Sequence, residues 1–149
     1  MTRTAMGPES RVTRPATGSS SARAGYVIGA VVNIAMLVAV NVWPGWEAVP
    51  FLTAETPDVL PLVSLSLASA VVANIVYLVN DAPWVRALGG LVTTGVGLAA
   101  LVRILDVFPV VEGGTVEVVA RILLVVGLVG SVIGIVVQLV AFVRAVIRS

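Results

Sequence analysis

The chain has 149 residues, 58% of them hydrophobic and only 11% charged, with a net charge of +1 and a mean hydropathy of +1.08. That is far too apolar for an ordinary water-soluble domain, and it lacks the basic stripe of a nucleic-acid binder. There is no Cys, His or Lys, so the usual ligands for zinc, copper, haem and iron–sulfur clusters are missing, along with the thiol nucleophile, the imidazole base and the Schiff-base amine.

No cofactor, metal or catalytic chemistry is therefore expected. The exclusive use of arginine among the basic residues points to GC-rich, bacterial coding.

Residues 1–24 are rich in Ser, Thr, Arg, Gly and Pro without apolar periodicity, and are expected to form a disordered, basic tail. Residues 25–43 follow as an apolar run broken only by Asn33 and Asn41. At about 1.5 Å per residue a run of this length covers roughly 30 Å of hydrocarbon. It exceeds the h-region of a signal peptide and is followed by no small-x-small cleavage site, so it is expected to stay as a first crossing. The WPGW stretch comes next: Trp43 and Trp46 flank a Pro-Gly turn. Tryptophan favours the membrane boundary, where its ring is in an apolar layer and its N–H is wet. The pair reads as an outer anchor for the first helix, with Phe51 and Phe108 at the same level and Tyr26, Tyr77, Trp84 and Phe142 at the other face.

Residues 59–79, 84–108 and 116–147 are the second, third and fourth crossings. The second and third are separated by Asn80–Pro83, where Asp81 is a candidate cap and Pro83 suits a first helical turn. Gly113 and Gly114 turn the chain between the third and fourth, Thr115 is a candidate N-cap, and Glu117 precedes Arg121 in the favourable order for a helical ion pair. The expected fold is all-α: a polytopic integral membrane protein with four transmembrane helices in an antiparallel bundle. One side would carry Arg3, Arg11, Arg14, Arg23, Arg86, Arg144 and Arg148 against Glu9 and Asp81, and the other would carry Arg103 and Arg121 against six acids. By the excess of arginine in cytoplasmic flanks, both termini are expected in the cytoplasm and the chain in the plasma (inner) membrane.

Polar residues within the crossings single out a candidate cluster. Counted from the cytoplasmic boundary, Asn33, Asn74, Thr93, Thr94 and Gln138 all fall in the inner half. Each must find a partner away from water, either as a network fixing helix register or as the lining of a small polar cavity. Near the outer boundary, Arg103 with Asp106 and Glu117 with Arg121 are expected to form a four-member ionic network. Small residues recur at three- or four-residue spacing, among them Gly25/Gly29, Gly89/Thr93/Gly97, Gly127/Ser131 and Gly130/Gly134. Such faces let helices pack closely, and the fourth helix is the first candidate for self-association.

In size and number of crossings the chain resembles small drug-efflux pumps. The resemblance goes no further, because no crossing carries a mid-depth carboxylate for proton coupling. The expected partners are the lipid bilayer and a second copy of the chain or a larger membrane complex, with no nucleic acid. The expected role is structural or accessory, and the alternative is a passive channel or small-solute transporter using the Asn/Thr/Gln cluster.

Overall fold

The computed structural model describes residues 17–148 and is all-helical over the expected spans. Helix α1 is Thr17–Asn41, α2 is Leu60–Val79, α3 is Pro83–Val107 and α4 is Thr115–Ile147. All four are long and apolar enough to cross a membrane. The expected disordered tail is corrected in part. Residues 17–24 belong to α1, since Ala22, Arg23 and Ala24 extend an existing helix and so need no new nucleus. The rest of the expected tail, residues 1–16, lies outside the described residues.

Two expected caps are also corrected. The N-cap of α3 is Ala82, without a side-chain cap, while Pro83 takes the first helical position as anticipated. Asn80 Oδ1 accepts from the Ala82 N–H at 3.1 Å, and Asp81 is used elsewhere. The N-cap of α4 is Gly114 rather than Thr115. Glu117, the third helical residue, reaches back past the N-cap and accepts from the Gly113 N–H at 2.6 Å, one residue before the donor a capping box uses. Gly113 and Gly114 have φ of 96° and 89°, a region that only glycine enters freely.

The helices pack in chain order, α1 on α2, α2 on α3 and α3 on α4. No pairing of comparable extent joins α1 to α3 or α4, or α2 to α4. The expected antiparallel bundle thus takes the form of a row, with no contact of comparable extent between α1 and α4 to close it. On α4 the half-buried positions include Ala120, Leu124, Gly127, Ser131, Gly134 and Gln138. They alternate three and four apart, the seam of a helix pair supercoiled left-handed. A Cβ added at Gly127 would lie 3.4 Å from Leu101, and one at Gly134 would lie 3.7 Å from Thr94. The small face of α4 is therefore occupied by α3 of the same chain, while Gly130 of the second expected pair faces open space.

On α1 a similar seam of Ala22, Tyr26, Gly29, Asn33, Leu37 and Val40 meets α2. Gly29 is needed there, because a Cβ would lie 2.8 Å from Asn74 Oδ1. The Ser64 hydroxyl donates to Asn41 Oδ1 at 3.1 Å across the same pair, nearer the far end.

Burial is deepest where the chain leaves the helices. Thr56, Val59, Phe108 and Val110 are 3%, 4%, 9% and 7% exposed, whereas α4 has no buried residue. These four belong to a small cap in which the connection after α1 pairs with the one after α3. Leu52 bridges Val110 antiparallel, the Thr53 N–H donates to Pro109 O at 3.2 Å, and the Val111 N–H donates to Phe51 O at 2.9 Å. The WPGW stretch leads into this cap. Gly45, at φ 85°, donates its N–H to Ala39 O at 2.9 Å and so satisfies a carbonyl at the end of α1. Trp43 is 79% exposed, while Trp46 is half-buried against the cap.

Replacing Gly29 by Val should separate α1 from α2 and cost about 1–3 kcal/mol, the usual penalty for overpacking. Replacing Gly25, where an added Cβ meets nothing within 4 Å, should leave that contact intact. Unfolding of the two variants in mixed micelles checks the difference, and equal stability would contradict the packing.

Candidate functional site

In an apolar environment an amide or hydroxyl must bond within its own helix or to a neighbour. The candidate cluster divides along these two routes. Asn33 Nδ2 donates to Gly29 O at 2.7 Å, and Asn74 Nδ2 donates to Ala70 O at 2.8 Å, each one turn back on its own helix. Thr93 does likewise, its hydroxyl donating to Gly90 O at 3.1 Å. Thr94 and Gln138 alone are joined across helices: Gln138 Nε2 lies 3.1 Å from Thr94 Oγ1, which lies 3.2 Å from Gln138 Oε1. Gly90 makes room for this pair, since a Cβ there would lie 3.0 Å from the Gln138 amide carbon. Four of the five residues thus serve two helix pairs, with Asn33 and Asn74 in the α1–α2 seam and Thr94 and Gln138 in the α3–α4 seam, while Thr93 bonds only within α3. Among the described residues no buried side-chain nitrogen or oxygen lacks a partner.

Hydroxyls do meet on one side of α3. A cleft of about 450 Å³ opens between α2 and α4, with Ser66, Thr93, Thr94 and Ser131 in its otherwise apolar wall. Thr93 and Thr94 belong to the expected cluster. Ser66 and Ser131 enter because the row curves over α3, a tertiary fact that spacing along single helices does not carry.

The expected outer network resolves into two pairs. Arg103 meets Asp106 at 2.9 Å and Arg121 meets Glu117 at 3.0 Å, and no ion pair among the described residues joins the two. Arg121 instead lies over the Phe108 ring, 4.1 Å from its centroid. Phe108 can meet it because it ends α3 in the left-handed conformation at φ 45°, reversing the chain beneath the first turn of α4. The arrangement secures the cap through charge and ring quadrupole together.

At the opposite end four residues from three helices and a turn converge, a grouping that the separate readings of Tyr26, Tyr77, Asp81 and Arg86 do not assemble. The Tyr26 hydroxyl donates to Asp81 Oδ1 at 2.7 Å, and Arg86 Nε lies 3.3 Å from the same oxygen. The Tyr77 hydroxyl donates to Arg86 O at 3.2 Å, and its ring centroid is 5.4 Å from that of Tyr26. Tyr77 packs its phenol against Gly89, where a side chain would collide with it. Asp81 is drawn out of its expected capping role because a tyrosine hydroxyl and a guanidinium outcompete a backbone N–H. The common depth of these residues was the available signal. Trp84, the third expected anchor, is 45% exposed at the start of α3 on this same end.

The fold defines a class: an all-helical chain whose four long apolar helices suit a multi-pass membrane protein. Comparison with protein-family models, with curated proteins and with solved structures yields no match, so any functional reading rests on the residues themselves.

A double-mutant cycle between Thr94→Val and Gln138→Leu should show a coupling of about 0.6 kcal/mol and up to roughly 1.7, the range of interhelical hydrogen bonds in membranes. The cycle between Asn74→Leu and Gln138→Leu should give no coupling, since no bond links them. Unfolding in micelles reads both, and equal couplings would restore a single cluster.

Proposed function

We propose that this chain is a structural or accessory component of the plasma membrane, acting by helix packing against a larger membrane complex or further copies of itself. The observation that carries this reading is the open row. Helices α1 and α4 each pack extensively on a single long helix, which leaves long apolar faces such as Val126, Val129, Ile133 and Val137 exposed along α4. The division of the polar cluster into two satisfied helix pairs supports packing over chemistry, and no catalytic step is assigned. The excess of arginine on the side of the termini supports a cytoplasmic location for that side.

The hydroxyl-lined cleft favours a second reading, as a passive path for a small polar solute. Under that reading Thr94→Leu abolishes flux into liposomes, and under the first it alters only stability.

Release of the tagged protein into lipid nanodiscs, followed by mass measurement, separates the possibilities for the complex. The expected result is a stoichiometric foreign membrane protein or a defined homo-oligomer, and a single copy alone would contradict the accessory role. A reporter fused after Ser149 should be active in the cytoplasm, and activity only on the far side would reverse the orientation.

A further inference from the structure

We infer that the end of the molecule bearing the termini holds a phospholipid site, with an anionic headgroup against Arg144 and Arg148 and an acyl chain along the α2–α3 groove. A cleft of about 370 Å³ separates the start of α3 from the end of α4, lined by Pro83, Trp84, Ala141, Arg144, Ala145 and Arg148. Arg144 and Arg148 are four residues apart and so project from one face of α4. Every other arginine within α3 and α4 is paired: Arg86 with Asp81, Arg103 with Asp106 and Arg121 with Glu117. Arg144 and Arg148 have no ion pair among the described residues. Among the described residues no carboxylate lines the cleft, and its two charged side chains are both arginines. Two guanidiniums give a phosphate several donors in planar, fork-like geometry.

A second concavity adjoins the first. Trp84 also lines a groove of about 590 Å³ between α2 and α3, whose wall is almost wholly apolar. The groove runs past Tyr77, Ala73, Leu88 and Val92 to Leu65. From Asn80 to Leu65 it follows α2 for about 22 Å, enough to cover the roughly 15 Å of hydrocarbon in one leaflet. The tryptophan is the shared wall between a cationic cleft and an apolar channel of leaflet length. A lipid matches that order of charge followed by hydrocarbon, whereas a free phosphate uses only the cleft. The inference rests on the chain lying in a bilayer, and it holds for whichever leaflet faces the termini.

Native mass spectrometry of the full chain, with added dioleoyl phosphatidylglycerol or phosphatidylcholine, tests it. Phosphatidylglycerol should bind more tightly. Each basic residue near an anionic lipid surface contributes about fivefold, so Arg144→Gln with Arg148→Gln should weaken phosphatidylglycerol about thirty-fold. Phosphatidylcholine, whose phosphate is offset by its own choline cation, should lose much less. The double substitution to lysine should retain most of the preference, which separates lost charge from lost folding. Arg23→Gln, at the same end but outside the cleft, should have no effect. An equal loss from Arg23→Gln would replace the site by diffuse surface charge and overturn the inference. So would competition by inorganic phosphate or dihexanoyl phosphatidylglycerol as strong as by the long-chain lipid, which would assign the cleft to a free phosphate. Phosphatidylcholine adducts that persist in either case would leave the membrane reading standing.

Discussion

The structure depends on long apolar helices whose polar groups are satisfied within the protein. A polar group in hydrocarbon has no solvent to bond, so the backbone must be helical and each side-chain amide or hydroxyl must bond to a carbonyl or a neighbour. Asn33, Asn74 and Thr93 take the first route and Thr94 with Gln138 takes the second. The same lack of solvent removes the hydrophobic drive between helices and leaves close packing of small residues to hold them. Gly89 under Tyr77, Gly29 under Asn74 and Gly90 under Gln138 are the points where that packing is closest to a polar or bulky partner.

In the connections between the helices the pattern differs. Apolar burial again favours compaction, and the two most buried residues, Thr56 and Val59, lie in the cap beside Phe108 and Val110. The cap also ties the end of α1 to the end of α3 through the Leu52–Val110 bridge, although those two helices barely touch. At the opposite end the Tyr26–Asp81–Arg86 contacts tie α1 to the α2–α3 turn. The row is therefore fastened at both ends, while α1 and α4 keep most of their long faces uncovered.

Much of this was legible in the sequence, because hydrophobic length is a local property. The four spans needed only runs of apolar residues, and the Arg103–Asp106 and Glu117–Arg121 pairs needed only helical spacing. What escaped were relations between helices. Depth along a helix could be counted for Asn33, Asn74 and Gln138, but rotation about its axis could not, so residues at one depth read as one cluster. The small residues of α4 carried the mark of a close contact without naming the partner, which proved to be α3 of the same chain. The WPGW turn was legible as a turn. Its half-buried Trp46 was not, because the cap beside it is completed by Pro109 and Val110, more than fifty residues away in the chain.

The central claim is the open row, and the distance between its ends tests it most directly. The chain has no cysteine, so Ile34→Cys on α1 and Ile133→Cys on α4, both exposed in the middle of their helices, can carry spin labels with no further change. Helices packed side by side lie about 8–10 Å apart, so a row places these two helix axes more than two such spacings apart, beyond roughly 16–20 Å. Pulsed dipolar spectroscopy in nanodiscs should find that long separation as the main population. A main population at one spacing, with α1 against α4, would show a closed bundle and contradict the account.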